Sequence, residues 1–281
     1  RGWKLGDEVV IQPGTFCGRC LQCQAGNENY CDHYGILGET ENGVQAEYIV
    51  IDPVNIYAKP DHLTFAEAGS MQLVFMTAYN MLVKRANLKK NDKVLIYGGT
   101  SGIGSAAIQI SRDSGAYVIA TVGSPDKVQH AIEMGANKVL IHYDNNWLDE
   151  VRDITKNRGV DIVFECAGGN PDQGLSGHET KQQAFEMVRI GGKVVQVAGL
   201  VGNVNIDPVF MRSQGINWLF PEGHGRDTIS LGANWVAGGR IDLKSLVTHE
   251  VLGIEKLPEA MKITHKKEEY KATSPCQVVV E

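Results

Sequence analysis

The chain has 281 residues, of which 43% are hydrophobic and 21% are charged, and its formal net charge is −6. This length predicts roughly two domains. The negative charge argues against a nucleic-acid or membrane partner, since either favours a basic face. No apolar run approaches the ~20 residues that cross a bilayer, and no leader marks secretion. We therefore expect a cytoplasmic protein, and we expect residues upstream because the sequence opens as the middle of a β-domain.

The predicted elements change character along the chain. Residues 2–60 alternate short apolar strands with glycine-rich turns, which is typical of a β-domain, and residues 64–88 predict a helix. From residue 92 onward, β-branched strands alternate with amphipathic helices, the pattern of a parallel sheet with crossover helices. After Phe220 this alternation ends, and two helices and a closing strand are predicted.

Four of the six cysteines lie within fifteen residues with the spacing C-x2-C-x2-C-x7-C: Cys17, Cys20, Cys23 and Cys31. Four thiolates suit a tetrahedral zinc ion and leave no open position, so we expect this zinc to hold a loop rather than do chemistry. An iron–sulfur cluster fits less well, because the last gap has seven residues and no proline follows it. Free or disulfide-linked thiols remain open. We expect Cys166 and Cys276, in strand-like stretches, to be small buried hydrophobes.

The segment VLIYGGTSGIGSAAIQI predicts a strand, a glycine turn and the start of a helix. Glycines at 99, 102 and 104 let the backbone approach a pyrophosphate at a helix amino terminus, where N–H groups favour anions. The fingerprint G-x-G-x-x-G appears with serine in the middle position, and within four strand–helix units it predicts a dinucleotide site. The alternative is a turn that only packs a helix on a strand. The predicted cofactor contacts in the turn are Gly99, Thr100, Ser101, Gly102, Ile103 and Gly104.

The second strand of this series indicates which dinucleotide binds. In the fingerprint an acidic residue ends that strand and binds the adenosine ribose, but residues 121–124 contain no carboxylate. Ser124 and Lys127 suit a 2′-phosphate instead, which favours NADP(H) over NAD(H). Asp126 keeps NAD(H) open as a displaced ribose ligand.

Taken together, these residues resemble the medium-chain dehydrogenase/reductase superfamily, the zinc-containing alcohol dehydrogenase-like proteins. The resemblance rests on GDEV at 6–9, the four-cysteine segment, an AEY strand at 46–48, the helix TAYNML at 77–82 and the glycine turn at 98–104. GGTSGIGSAAIQ is most similar to the quinone and enoyl reductase branch. In that branch the residues matching Ser124 and Lys127 hold NADPH, and a tyrosine in the position of Tyr143 often joins them.

The resemblance implies an α/β fold. Residues 1–76 would form a GroES-like catalytic domain with its amino-terminal part apparently missing, residues 77–221 a Rossmann domain with a doubly wound parallel sheet, and residues 222–281 a segment completing the catalytic domain. The active site would lie in the cleft, with Thr77, Gly199 and Leu200 on the nicotinamide side. The resemblance also implies a homodimer or homotetramer, with pairing near GINWLF.

Short-chain dehydrogenases share the spacing Gly98-x3-Gly102-x-Gly104. They need a Tyr-x3-Lys pair for proton transfer, and no tyrosine here has a lysine four residues later. They also begin near the glycine motif, whereas a cysteine-bearing β-domain comes first here. We set that fold aside.

The main departure from the zinc alcohol dehydrogenases concerns their catalytic zinc. Two of its ligands would lie upstream of the four-cysteine segment, and the third falls four residues before Thr77, at Leu73, which cannot bind a metal. We therefore assign no catalytic residue. With a catalytic zinc, the metal would polarise an alcohol or carbonyl oxygen; without it, hydride would pass to a quinone or to the β-carbon of an enone or enoyl thioester. Leu73 favours the mechanism without a catalytic zinc, acting on a small-molecule substrate. A catalytically silent NADPH-binding protein is the alternative of another class.

Overall fold

The computed structural model describes residues 2–168, 179–199, 204–220, 223, 225–272 and 277–279. The chain divides into two compact units: Arg1–Thr77 together with Glu222–Glu281, and Ala78–Pro221. Within the described residues, no helix has both the length and the apolar character that a membrane span requires.

The amino-terminal part of the first unit consists of short antiparallel strand pairs joined by long loops. Strand β1 pairs with β4, and β2 pairs with β3. The elements are β1 (Val9–Ile11), β2 (Gly14–Thr15), the helix α1 (Leu21–Gln24), a 3₁₀ turn at Glu28–Tyr30, β3 (Gly35–Ile36), a 3₁₀ turn at Pro53–Asn55, and β4 (Ile56–Ala58).

The expected AEY strand at residues 46–48 is not formed. Tyr48 is 90% exposed and Val50 is fully exposed, and no strand spans either residue. A strand needs a backbone partner for its N–H and C=O groups, and the described residues supply none beside this segment. The prediction of that strand was wrong.

A long helical segment begins at Thr64, whose side chain accepts from the N–H of Glu67 while the Glu67 carboxylate accepts from the N–H of Thr64. This capping box fixes the helix start. The segment continues as α2 (Phe65–Ser70), a π-helical turn at Met71–Phe75, α3 (Met76–Tyr79) and a second π-helical turn at Asn80–Arg85. The helix predicted over residues 64–88 is confirmed.

The second unit is built on a six-stranded, fully parallel sheet with the order β10-β9-β8-β5-β6-β7. Its elements in chain order are β5 (Lys93–Tyr97), α4 (Gly102–Asp113), β6 (Tyr117–Val122), α5 (Val128–Met134), β7 (Lys138–Ile141), α6 (Trp147–Thr155), β8 (Val160–Glu165), α7 (Glu179–Met187), β9 (Val188–Gln196), α8 (Pro208–Gln214) and β10 (Asn217–Leu219). This is the strand order of doubly wound dinucleotide-binding sheets, so the predicted fold class is confirmed.

The sheet is buried because its strands carry apolar side chains towards both layers of helices. One core cluster includes Leu95, Ile119, Val163 and Val194, each fully buried. The strand order reverses between β5 and β8, so the crevice at the carboxyl ends of these two strands is where such a fold places its ligand.

The carboxy-terminal segment returns to the first unit. It contains α9 (Arg226–Ala237), a 3₁₀ turn at Lys244–Leu246, β11 (Glu250–Leu252), α10 (Leu257–His265), α11 (Lys267–Tyr270) and β12 (Gln277–Val279). Strands β11 and β12 pair in parallel, and β12 contacts α2. Cys276 lies outside the described residues.

Candidate functional site

The four clustered cysteines converge on one point in the first unit. Their sulfur atoms all lie within 4.8 Å of one another, and all four are free thiols. The Sγ atom of Cys31 is 3.5 Å from that of Cys17 and 3.9 Å from that of Cys20. Four Zn–S bonds of about 2.3 Å place tetrahedral sulfurs about 3.8 Å apart. The cluster therefore has the dimensions of a four-thiolate zinc site.

Backbone N–H groups point at these sulfurs. The N–H groups of Cys17 and His33 each lie 3.3 Å from Cys31 Sγ, and that of Cys23 lies 3.5 Å from Cys20 Sγ. The Cys23 N–H is the main cause that lowers the pKa of Cys20 to about 6, whereas burial raises the pKa of Cys23 to about 12. N–H donors stabilise thiolates. A bound dication offsets the free-energy cost of burying a thiolate that has no such donor. The residues fit a structural zinc.

A buried carboxylate inside the thiolate lobe, which we define as residues 16–36, was not predicted from the sequence. The Glu28 side chain is 4% exposed, and its Oε1 accepts from Nε of Arg226, the first residue of α9, at 2.7 Å. The Arg226 guanidinium lies 5.4 Å from the centre of the Phe16 ring. The partners are 198 residues apart in sequence, so no local motif marks the pair. It ties the lobe to the returning segment.

The glycine turn after β5 takes the conformation that its residue types require. Gly98 has φ +69°, in the left-handed region that favours glycine. A Cβ on Gly99 would lie 2.8 Å from Ala120 Cβ, and one on Gly104 would overlap the Gly98 carbonyl oxygen. Ser101 caps α4 by accepting from the N–H of Gly104 at 3.0 Å. The glycines thus allow α4 to start directly against the end of β5.

The geometry around this turn fits a dinucleotide. The first N–H groups of a helix have no intrahelical partners, so the start of α4 is a site for an anion. A Cβ on Gly123, after β6, or on Gly199, after β9, would meet nothing within 4 Å. The backbone therefore borders open space beyond these two strands. Thr100 and Gly102 are buried, and Ser101 and Ile103 are half-buried.

The predicted 2′-phosphate residues lie after neighbouring strands. Val122 of β6 pairs with Ile141 of β7, so Ser124 and Tyr143 stand two residues beyond matched positions. Ser124 precedes the 3₁₀ turn Pro125–Lys127, and Tyr143 is 68% exposed. The register thus places Ser124 and Tyr143 just beyond the carboxyl ends of neighbouring strands, and Lys127 ends the turn that follows Ser124.

A hydrogen-bonded chain links the helix after Lys127 to the glycine turn. Nε2 of His130 on α5 lies 3.0 Å from Ser105 Oγ, which in turn lies 3.3 Å from the Gly99 carbonyl oxygen. The serine hydroxyl has one proton, so it donates to one of these two neighbours, and the tautomer of His130 decides which. Burial lowers the pKa of His130. No sequence motif marks this link, because its partners lie 25 residues apart.

The helix α3 carries Thr77, which is half-buried. Four residues earlier, Leu73 is 58% exposed, so the position of the expected third ligand of a catalytic zinc presents an apolar side chain. Gln72 beside it is buried, and neither carboxamide atom has a hydrogen-bond partner among the described residues. Leu200, the other predicted residue near Gly199, lies outside the described residues.

Comparison with known proteins assigns both parts of the chain. The family "Alcohol dehydrogenase GroES-like domain" matches residues 1–61, and "Zinc-binding dehydrogenase" matches residues 102–218. A crystal structure of an NAD-dependent alcohol dehydrogenase superposes with a TM-score of 0.85 and 30% identity, covering 100% of this chain and 78% of that one. The chain belongs to the medium-chain dehydrogenase/reductase superfamily, and its domains are those of alcohol dehydrogenase-like oxidoreductases.

Two curated relatives represent different chemistries. The crotonyl-CoA carboxylase/reductase of Cereibacter sphaeroides is 33% identical over 236 residues, which is 74% of this chain and 53% of that protein. The sorbitol dehydrogenase of Bacillus subtilis (strain 168) is 28% identical over 263 residues, which is 92% of this chain and 70% of that protein. The chain thus spans about half of the first relative and about 70% of the second.

Proposed function

We propose that the protein is an NADP(H)-dependent oxidoreductase that moves a hydride between nicotinamide C4 and a small carbonyl, alcohol or activated alkene. The observation that carries this proposal is the glycine turn. It joins the end of β5 to the capped start of α4 at the point where the strand order reverses. Doubly wound sheets bind dinucleotides at this point, with the pyrophosphate at the helix amino terminus.

The preference for NADP(H) rests on charge at the end of β6. A 2′-phosphate is dianionic and needs donors, whereas the ribose of NAD(H) favours a carboxylate acceptor. Ser124 and Lys127 follow β6, and Tyr143 follows the neighbouring strand. We propose that these three residues hold the 2′-phosphate, with Lys127 supplying the positive charge.

When bound, the nicotinamide supplies the hydride, and the protein supplies orientation and exclusion of water. The start of α4 and the residues of the glycine turn, 99–104, would hold the pyrophosphate. Thr77, Gly199 and Leu200 would lie on the nicotinamide side. Donors fixed near the substrate oxygen would stabilise the charge that develops there.

Among the possible reactions, reduction of an activated alkene is favoured by Leu73. An aliphatic side chain at the expected ligand position cannot complete a catalytic zinc site. The relative from Cereibacter sphaeroides is, by its name, a reductase of crotonyl-CoA. We therefore propose an enoyl thioester, an enone or a quinone as the first substrate classes, with alcohols and aldehydes second.

The thiolate lobe takes a structural part in this proposal. Four protein ligands close the coordination sphere of zinc, so Cys17, Cys20, Cys23 and Cys31 would hold the loop without touching substrate. We further propose a cytoplasmic homodimer or homotetramer. Among the described strands, β10 lies at the edge of the sheet, and we propose that it pairs with the same strand of a second subunit.

The proposal is tested with the zinc-loaded chain and four probes: NADPH, NADH, crotonyl-CoA and a benzoquinone. Dissociation constants come from quenching of tryptophan fluorescence, and turnover from loss of NADPH absorbance. We expect saturable NADPH binding that is tighter than NADH binding, and oxidation of NADPH by one of the two acceptors. If NADPH binds and neither acceptor is turned over, an aldehyde and an enone are tried next; no turnover of these would support the silent-protein alternative. Absence of cofactor binding would refute the proposal.

A matched pair of variants separates the two cofactors. Lys127→Ala removes the proposed phosphate contact, and a hydrogen bond to a charged group contributes about 1.5–3 kcal/mol. We therefore expect NADPH binding to weaken by about 10- to 100-fold, with NADH binding unchanged. The control is Lys138→Ala, at the amino end of β7, where the lysine pairs with Glu150; this variant leaves both affinities unchanged. Equal loss for NADPH and NADH in Lys127→Ala would contradict the assignment.

A further inference from the structure

A buried carboxylate lies at the carboxyl end of β8, beside the point where the strand order reverses. Glu165 is the last residue of β8 and is fully buried. Its Oε1 accepts from the N–H groups of Ala167 and Gly168, at 3.0 and 2.8 Å, and from the hydroxyl of Thr180 at 3.0 Å. Its Oε2 accepts from Nε2 of Gln196 at 2.5 Å. One carboxylate thus holds three separate segments of the chain.

The bond to Gln196 extends this network towards Gly199. Nε2 of Gln196, the last residue of β9, also donates to the carbonyl oxygen of Ala198 at 2.7 Å. Both contacts of this nitrogen are with acceptors, so the orientation of the carboxamide is fixed by its surroundings. The Glu165 carboxylate is thereby linked, through the Gln196 carboxamide, to the backbone that leaves β9. Gly199 follows directly and borders open space.

The four hydrogen bonds use the Glu165 side chain only as an acceptor. All four partners of Glu165 are donors, and a carboxylate is the side-chain group that only accepts. A glutamine at this position would turn an NH₂ group towards at least one of these donors. Burial lowers the pKa of Lys181, in the first turn of α7, below its usual value, and the charge of Glu165 opposes this shift only in part. Its ammonium lies 5.5 Å from the centre of the Trp218 ring.

The neighbouring residue ties the same edge to the glycine turn. The Cys166 thiol donates to the Tyr97 carbonyl oxygen at 2.8 Å and lies 3.6 Å from Ser101 Oγ. The ends of β5, β8 and β9 are therefore connected by side chains from two consecutive residues. The ends of β5 and β8 border the expected crevice, and the end of β9 lies next to that of β8.

We infer that Glu165 is a positioning residue for the nicotinamide half of the cofactor, acting through the backbone of residues 166–168 and 196–199 rather than by contact. The inference rests on the proposed dinucleotide site and adds to it a residue that no motif assigned. Binding of the two halves of the cofactor then depends on different residues. The adenosine half depends on Ser124 and Lys127, and the nicotinamide half depends on Glu165.

The test compares whole and partial cofactors in the full, zinc-loaded chain. NADPH contains both halves, whereas 2′-phospho-ADP-ribose lacks the nicotinamide. For Glu165→Gln we expect the dissociation constant of NADPH to rise at least tenfold and that of 2′-phospho-ADP-ribose to stay within twofold of the wild type. The matched control is Asp161→Asn on the same strand, whose carboxylate bonds Lys93 and Arg189 at the opposite end of β8; it leaves both constants unchanged.

A second variant covers the case in which Glu165→Gln does not fold. Gln196→Met keeps the length of the side chain and removes its donor to Glu165 and Ala198, so we expect the same selective loss of NADPH affinity. Equal weakening of both ligands, or no weakening in a folded variant, would overturn the inference while leaving the proposed function intact. A wild-type chain that binds neither NADPH nor NADH would overturn both.

Discussion

The thiolate lobe and the six-stranded sheet differ in the interactions that stabilise each of them internally. All residues from 16 to 36 are described, and the buried ones are Cys23, Glu28, Cys31 and Gly35; the lobe buries no aliphatic or aromatic side chain. The sheet, in contrast, buries a continuous apolar cluster between its helices. A segment without an apolar core needs another source of free energy, and metal binding supplies it in small domains. From this comparison we expect the stability of the lobe to depend on metal binding and that of the sheet to depend on apolar packing.

The largest expected effect comes from removing one ligand of the lobe. Structural zinc contributes about 10–16 kcal/mol of apparent binding free energy in small zinc domains, so Cys23→Ser should lose most of its zinc and most of the amide protection between residues 16 and 36. Elemental analysis and hydrogen exchange measure both quantities. The control is Cys166→Ser, which keeps one zinc per chain. A Cys23→Ser variant with full zinc content and unchanged exchange would refute the zinc site.

A substitution in the apolar core tests whether the sheet depends on packing. Leu95 is fully buried in the core cluster, and replacing a buried leucine by alanine costs about 2–5 kcal/mol. We expect Leu95→Ala to lower the free energy of unfolding of the second unit by this amount in urea titrations, with zinc content unchanged. Ile132→Ala, on α5 and 49% exposed, should change it by less than about 1 kcal/mol. Loss of zinc from Leu95→Ala with an intact sheet would break the comparison.

Breaking the Glu28–Arg226 pair tests whether the metal ligands alone stabilise the fold of the lobe. Arg226→Ala leaves a buried carboxylate without its donor, at a cost of about 1–3 kcal/mol. Because the pair ties the lobe to α9, we expect faster transfer of zinc to a chromogenic chelator. The matched control is Arg152→Ala, which breaks an exposed pair with Asp149 and leaves the transfer rate unchanged. An unchanged rate in Arg226→Ala would show that the lobe needs only its thiolates.

The smallest expected effect is the contribution of Asp161 to the free energy of unfolding, which depends on pH. Burial raises the pKa of Asp161, but the N–H of Lys93 and the guanidinium of Arg189 outweigh burial, so the net pKa lies below its usual value. A pKa that is lower in the folded state adds stability above the unfolded-state pKa of about 4, and this stability is lost as the pH falls through the folded value. We expect Asp161→Asn to cost about 1–2 kcal/mol at pH 7 and progressively less in acid.

Urea titrations between pH 3 and pH 7 measure this difference. The control is Glu150→Gln, which breaks an exposed pair with Lys138 and should cost less than about 1 kcal/mol. A difference between Asp161→Asn and the wild type that stays constant over this pH range would contradict the assignment.

The sequence was sufficient for features that depend on local pattern. The alternation of strands and helices predicted the parallel sheet, and the glycine turn predicted where α4 begins. The prediction of a strand at residues 46–48 was wrong because a strand also needs a neighbouring strand as its hydrogen-bond partner, which the described residues do not supply. Glu165 and Glu28 were missed for a related reason: their hydrogen-bond partners lie up to 31 and 198 residues away. The fold alone brings such partners together.

The most direct test of the account is hydrogen exchange of the full, zinc-loaded chain with and without saturating NADPH. We expect slower exchange in the glycine turn at 98–104, at residues 123–127, and at 166–168 and 196–199, with no change in the thiolate lobe. Slower exchange confined to the lobe, or no change at the sheet edge despite saturable binding, would contradict it.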